Sequence, residues 1–391
     1  MSQPQVAPAH VLIDARPLNG QRNGLARFVE QMVREWPMVS GAKVTLISHR
    51  PIQVTQALPA SLAIHVDGGI WRRCPGSLWF NLRAGVLARR LGATHVLGTQ
   101  HVLPLFGLRG VHRGVIVHDL VFRKFPNTML WSDRLLSWLF VPLSLKAADS
   151  VFCVSESTRQ DLLREFAVDP HLTRTAYPGG TFDALASPRV APLGATVRLL
   201  VVGSIEPRKN LAQFFRVFRI LRRQGHALEL DIVSGMDWGG AIAPELWRAM
   251  ESDPLVRVHR AVDDERLQRL YEAADCLVFP SLYEGFGLPM LEAVGKCAVI
   301  ANDIPVFREI AAHLEGVILI DFEAQEEKVA VDLAAVLARR SVARFRTEPD
   351  RELFSWRNCA RVIAAGMGLG APSDGAAGQG LLTKGAGDDP G

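Results

Sequence analysis

Short apolar runs alternate with amphipathic stretches along most of the chain, the pattern of strands and helices that build a parallel sheet. In the first half, HVLIDA (10–15), KVTLIS (43–48), LAIHV (62–66), THVLG (94–98), RGVIVHD (113–119) and SVFCVS (150–155) predict strands. Between them, segments near 24–36, 77–91, 128–147 and 156–166 predict helices. The alternation then stops in PGGTFDALASPRVAPLGA (178–195), a Pro-, Gly- and Ala-rich stretch without periodicity. That composition predicts a linker at 181–195 between a first domain, 1–180, and a second, 196–353. Strands resume with TVRLLVVGS (196–204), LELDIVSG (228–235), VRVHR (256–260), DCLVFP (275–280), CAVIAN (297–302) and VILID (317–321). Helices are expected at 209–223, 263–273, 288–295, 304–313, 324–342 and 354–367, and the Gly/Ala-rich stretch 368–391 is expected to be disordered. Two doubly wound α/β domains in series imply a cleft between the carboxyl ends of their sheets, where ligands bind.

Composition narrows the class. A chain of 391 residues exceeds a typical single core, and 48% hydrophobic with 21% charged residues describes an ordinary soluble protein. The five cysteines are scattered and form no C-x-x-C, which argues against a disulfide framework or zinc site and fits a reducing cytoplasm. MSQPQVAPAHVLIDARP lacks a basic segment followed by an apolar run, so no signal peptide is expected. LLSWLFVPLSLKAADSVFCV (135–154) is interrupted by Pro142, Lys146 and Asp149 and falls short of the ~20 apolar residues of a membrane span. It reads as a buried helix followed by a strand.

Charge is uneven. Residues 1–190 hold 21 Lys and Arg against 12 Asp and Glu, whereas 191–391 hold 23 against 28. A basic half can face anionic lipid, nucleic acid or phosphorylated substrate. Arg72-Arg73, Arg89-Arg90 and the group Arg109, His112 and Arg113 fit a patch facing an anionic membrane, and equally fit scattered solubilising arginines. Nucleic acid is disfavoured, since no basic run is interleaved with aromatics.

The candidate chemistry concentrates in PSLYEGFGLPMLEAVGKCAVIANDIP (280–305). A strand runs into a loop holding Glu284, and Pro289 stands near the first turn of a helix, where its missing N–H costs little. A helix start offers free N–H donors to phosphate, and Gly285 and Gly287 allow close approach of a ligand. Glu292 lies about a turn inside the helix. The bland reading is a strand–helix turn with a capping glutamate. In LLVVGSIEPRKN (199–210) a buried strand ends at Gly203, and Arg208 and Lys209 fall at the expected start of the next helix. Cations are unfavourable there unless an anion neutralises them, which points to a bound diphosphate. His118 ends an apolar strand at the cleft edge, with Asp119 expected to cap the next segment. Ser155 stands at a strand–helix junction, where a plain N-cap is the simplest role. Gly24 lies in the loop ARPLNGQRNGLARF (15–28), which is not a dinucleotide fingerprint.

Together, these segments, with HDLVFRKFP, LYEAADCLVFPSLYEGFGLPMLEA and FSWRNCA, resemble the retaining, nucleotide-sugar-dependent glycosyltransferases of family 4, the GT-B fold. They are similar to its bacterial exopolysaccharide and O-antigen mannosyltransferases. The most specific element is E-x7-E in FPSLYEGFGLPMLEA with EPRKN upstream. The resemblance implies catalytic roles for His118, which contacts the donor sugar, Lys209, which stabilises the leaving diphosphate, and Glu284, near the reacting centre. It implies donor binding by Gly24, Ser155, Gly203, Arg208, Gly285 and Glu292, the last holding the ribose, and by the backbone N–H groups of Phe286, Gly287 and Leu288. The final helix, 354–367, would pack back on the first domain. Implied further are a GDP-mannose donor, with a UDP-sugar as runner-up, a polyprenyl-diphosphate-linked glycan acceptor, no cofactor and, in the absence of a D-x-D sequence, no metal. The location implied is cytoplasmic and peripheral on the inner face of the plasma membrane. A nucleotide-sugar epimerase and a non-catalytic sugar-nucleotide-binding protein remain the rival readings. Departures from the pattern are Lys296 and Cys297, where small residues and glycine are usual, and YPGG (177–180), which lacks an Asn-Gly turn.

Overall fold

The computed structural model describes residues 9–20, 23–128, 131–180, 196–234 and 244–370, with 132 and 133 by backbone only. The first unit comprises β1 (His10–Asp14), α1 (Gly24–Val39), β2 (Lys43–Ser48), β3 (Leu62–Val66), α2 (Gly76–Leu91), β4 (His95–Gly98), β5 (His112–Val117), α3 (Val121–Lys124), α4 (Trp131–Ala147), β6 (Ser150–Cys153), α5 (Glu156–Glu165) and β7 (Thr173–Thr175). Its strands are all parallel, in the order β3-β2-β1-β4-β5-β6-β7. The edge strand β7, Thr-Arg-Thr, has no apolar run and is not foreseen by patterning.

The second unit comprises β8 (Val197–Val202), α6 (Leu211–Arg223), β9 (Leu228–Ser234), α7 (Pro244–Ser252), β10 (Val256–Arg260), α8 (Asp264–Ala273), β11 (Cys276–Phe279), α9 (Leu288–Glu292), β12 (Ala298–Asn302), α10 (Pro305–Ala311), β13 (Leu314–Glu315), β14 (Val317–Ile320), α11 (Glu326–Leu337), β15 (Arg344–Phe345), α12 (Glu348–Leu353) and α13 (Trp356–Gly366). Six parallel strands follow the order β10-β9-β8-β11-β12-β14, and β13 pairs with β15 in a small antiparallel ladder. Strand order reverses between β1 and β4 and again between β8 and β11, so a crevice opens at the carboxyl ends of each pair.

Local chemistry explains the elements. On α6, Leu211, Phe214, Phe215, Phe218 and Leu221 fall at helical spacing and are all buried. Asn23, Ser155, Asp263 and Ser355 cap α1, α5, α8 and α13 by accepting from the amide three residues on. Helix α13 returns to lie against α1, with the Trp356 ring edge-on to Phe28 at 5.4 Å and its indole N–H donating to the Gly180 carbonyl at 3.0 Å. Gly179 permits this approach, because any Cβ there would collide with the Trp356 backbone.

Four expectations need correction. Helix α4 is not buried: Trp131, Leu135, Trp138 and Leu139 face outward, while Val141 and Leu145 fill the core. The helix expected at 209–223 begins at Leu211, with Arg208 and Lys209 in a preceding 3-10 turn, Pro207–Lys209. The helix expected at 288–295 closes at Glu292. The start of the stretch expected to be disordered is packed, with Leu369 buried and the Gly370 carbonyl accepting from Gly41. Its remainder, 371–391, and the expected linker, 181–195, lie outside the described residues.

Candidate active site

The loops after β8 and β11 meet at the switch point of the second sheet. Lys209 Nζ donates to Glu284 at 2.5 Å, and Arg208 Nη1 reaches the other carboxylate oxygen at 3.1 Å. The Arg208 Nε donates to Glu206 at 2.7 Å, and Nη1 also donates to the Tyr283 carbonyl at 3.1 Å. Two cations therefore clasp Glu284, whose side chain is 10% exposed. Burial drives the Glu284 carboxyl upward, but Lys209 and Arg208 outweigh it and hold it below its ordinary value. For Lys209 the balance runs the other way: burial lowers the ammonium despite Glu284. The anion expected beside these cations is thus in place as a carboxylate of the chain itself. Gly203, at φ 154°, leaves space along the Lys209 stem, whose Cε would lie 3.7 Å from a Cβ there.

Glu284 is followed by a tight crossing between the two units. A Cβ on Gly285 would run into the His118 carbonyl. The Gly285 carbonyl accepts from Ser155 Oγ at 2.6 Å and from Thr158 Oγ1 at 2.9 Å. Ser155 therefore serves as N-cap and as interdomain donor together. Glu309 on α10 adds a second bridge, accepting from the Glu156 and Ser157 amides at 2.7 and 2.8 Å. Gly287 takes φ 127°, a backbone region that favours glycine, and leads into α9 with Pro289 in its first turn. The amides of Phe286, Gly287 and Leu288 meet no acceptor among the described residues.

His118 lies across this crossing. Its Nε2 sits 2.9 Å from the Thr99 carbonyl, which can only accept, so Nε2 carries the proton and Nδ1 is left as an acceptor. Phe28 meets the ring edge-on at 4.8 Å and His101 at 5.5 Å. Burial, reinforced by His101, lowers its pKa to about 3, which keeps the imidazole neutral. Asp119 caps the following turn through the Val121 amide at 3.1 Å, as expected. A histidine neutral when folded binds a proton in the unfolded chain below pH 6.5, so stability is full above 6.5 and falls as pH drops toward 3. Burial also lowers His10, His49, His95, His101 and His112. Urea unfolding midpoints should therefore decline steadily from pH 7.5 to 5, and His118→Gln should flatten part of that decline. An unchanged slope would show that His118 is not held neutral.

The Glu292 carboxylate takes Arg27 of α1 at 2.5 Å and the Tyr271 hydroxyl at 2.9 Å. Arg27 also donates to Asp264 at 2.7 Å, so one guanidinium ties α1 to α8 and α9. Arg27 escapes sequence reasoning because its partners lie 265 and 237 residues away. The available clue is its place one turn after Gly24, which opens α1 facing Leu288, 3.9 Å from where a Cβ would stand. The structure thus gathers Gly203, Arg208, Lys209 and Glu284 around one point. His118, Ser155 and Gly285 join at the crossing, and Gly24 and Glu292 flank it.

The model described as Glycosyltransferase Family 4 matches residues 22–180, and that described as Glycosyl transferases group 1 matches 193–348. The serotype-specific mannosyltransferase WbdA of Escherichia coli is 29% identical over 215 residues, covering 50% of this chain and 26% of that protein. The MMP alpha-(1->4)-mannosyltransferase of Mycolicibacterium hassiacum is 28% identical over 312 residues, 73% of each chain. Against the first of these relatives the chain therefore spans only about a quarter of the other protein's length. Among solved structures, the sucrose-phosphate synthase of Thermosynechococcus elongatus superposes with a TM-score of 0.68 at 18% identity, covering 91% of this chain and 98% of that one. That likeness establishes the shared two-domain GT-B architecture.

Proposed function

The chain belongs to the glycosyltransferases that join a Glycosyltransferase Family 4 domain to a group 1 domain, and from that premise we propose that it moves mannose from GDP-mannose to a hydroxyl of a lipid-linked glycan in O-antigen or exopolysaccharide assembly. The observation that carries the reading is the convergence of Lys209, Arg208 and Glu284 at the β8–β11 switch point, opposite His118. Mannose is favoured because the relatives above are mannosyltransferases. A UDP-sugar is the second reading.

In the proposed step the bond from the sugar C1 to the diphosphate oxygen breaks, and a bond to the acceptor oxygen forms on the same face. The acceptor proton passes to the departing diphosphate, so configuration is retained. Lys209 and Arg208 neutralise the charge developing on that leaving group in a cleft of low dielectric. When the diphosphate takes these cations, Glu284 is freed to orient the sugar. Neutral His118 offers Nδ1 as an acceptor for a sugar hydroxyl, and Glu292 exchanges Arg27 for the ribose.

Purified protein incubated with a panel of GDP- and UDP-sugars and a bacterial membrane lipid extract should carry label into lipid, from GDP-mannose above the rest. Transfer from a UDP-sugar alone would overturn the choice of donor, and transfer from none would overturn the reaction. Because the leaving group is served by the chain's own cations in this scheme, EDTA should leave the rate unchanged. A loss restored by magnesium or manganese would contradict it.

A further inference from the structure

The proposed reaction leaves one pole of the first unit unused, the carboxyl ends of β1 and β2 where they meet the start of α2. His49 follows β2 directly and is buried, at 4% exposure, with its ring stacked on Trp79 at 5.3 Å. Asn19 Nδ2 stands 3.3 Å from His49 Nδ1. An amide nitrogen only donates, so Nδ1 accepts and Nε2 carries the ring proton. No acceptor among the described residues meets that Nε2. Unlike His101 Nδ1, it is not sealed from solvent, so a ligand can reach it.

The free edge of the ring points at the first turn of α2. A Cβ on Gly76 would stand 3.3 Å from His49 Cε1, 3.8 Å from its Nε2 and 3.5 Å from Arg16 Cδ. A side chain at 76 would therefore fill the space between these groups. Helix α2 has no side-chain cap at Pro75 and no acidic residue in its first turn. Its first intrahelical bond runs from the Trp79 amide to the Pro75 carbonyl at 2.9 Å. The Gly76, Ser77 and Leu78 amides precede that bond and meet no acceptor among the described residues. The peptide dipoles of 16 residues thus end in an uncapped turn, beside a histidine donor that also lacks an acceptor.

Charge around the pole is positive. Arg16 gives Nε and Nη2 to Asp14 at 2.8 and 2.7 Å and lies over the Phe80 ring at 4.3 Å, which leaves Nη1 without an acceptor among the described residues. Arg50 donates to the Arg72 carbonyl at 2.9 Å, which sets its guanidinium beside the turn Gly69–Arg73. Asp67, the carboxylate that precedes this turn, is taken by Arg83 and the Trp79 indole. Burial lowers the His49 pKa, and Arg50 and Arg16 lower it further against Asp14, as a cationic surrounding does. Thr99 links the pole to the reacting centre. Its hydroxyl donates to the Asp14 carbonyl at 2.8 Å, and its own carbonyl takes His118 Nε2 at 2.9 Å. His49 and His118 nevertheless follow strands three spacings apart, about 14 Å, so the pole is separate from the donor contacts described above.

We propose that the Gly76, Ser77 and Leu78 amides, His49 Nε2 and the Arg16 and Arg50 guanidinium groups form an oxyanion subsite that takes a phosphate group. That phosphate belongs either to the diphosphate of the acceptor or to free phosphate. The first source rests on the reaction proposed above, whereas the subsite itself does not.

The test follows the His49 Cε1–H resonance of the full chain, assigned by its loss in His49→Gln, while inorganic phosphate replaces chloride at constant ionic strength. The resonance should shift saturably at millimolar phosphate, and its titration midpoint should rise, because a bound anion favours the imidazolium. Ser77→Asp should weaken phosphate binding about tenfold or more. Its carboxylate at the helix start should meanwhile keep or raise the unfolding midpoint. Lys209→Ala should leave the His49 shift unchanged, which separates this subsite from the donor cleft. A short prenyl diphosphate that displaces phosphate from His49 assigns the subsite to the acceptor, and phosphate binding indifferent to it assigns free phosphate. No shift at His49, an equal shift in folded Ser77→Asp, or a shift that Lys209→Ala abolishes overturns the proposal. Sugar transfer by the wild type stands or falls separately.

Discussion

Lys209→Ala is expected to lower sugar transfer by about 10²–10³-fold, with the loss in kcat and little change in the donor KM. The ammonium sits 2.5 Å from Glu284 and 3.8 Å from where a Cβ on Gly203 would stand, at the mouth of the β8–β11 crevice. In the proposed reaction, that ammonium and the Arg208 guanidinium are the groups that compensate the charge growing on the departing diphosphate. Arg208 remains in the variant and continues to clasp Glu284 and Glu206, so the local fold persists. Two carboxylates then share one cation, which should cost about 2 kcal/mol of stability. Single-turnover transfer alongside a denaturation curve separates the two effects. A Lys209→Ala enzyme as fast as wild type would remove leaving-group stabilisation from the account.

Gly285→Ala is expected to be nearly as damaging, on the order of 10²-fold or more in kcat/KM, although it adds one methyl group and removes no charge. That methyl would run into the His118 carbonyl, and backbone cannot swing aside as a side chain can. Ser155 and Thr158 also hold the Gly285 carbonyl, so the clash is transmitted to α5. The two sheets must then separate, drawing His118 away from Lys209 and Glu284. Small-angle scattering should show a larger radius of gyration, and transfer should fall in step. A Gly285→Ala protein of unchanged size and rate would show that the crossing is not required for chemistry.

Much of the fold is legible in the sequence. The segments 43–48, 62–66 and 256–260 coincide with β2, β3 and β10, because β-branched residues in runs or in alternation between polar breaks leave little choice. Caps at Ser155 and Asp119 were readable too, since a side chain reaching two or three residues along its own chain is a local event. Long-range partners were not. Lys209 and Glu284 stand 75 residues apart, and nothing local indicates that a carboxylate of the same chain would neutralise the pair. Arg27 and Glu292 meet for the same hidden reason, through packing of α1 across the cleft. Helix α4 exposes another limit: periodicity shows that a helix is amphipathic or apolar, yet its most apolar stripe is the one turned outward. The short β7 and the β13–β15 ladder carry too few residues for any pattern.

The most direct measurement of the central claim is a crystal structure of the protein with GDP. The account predicts diphosphate oxygens within hydrogen-bond distance of Lys209 Nζ and the Arg208 guanidinium, with Glu292 on the ribose hydroxyls and its contact to Arg27 released. Nucleotide bound elsewhere, or bound here with the Lys209–Glu284 and Arg27–Glu292 pairs both intact, would contradict it.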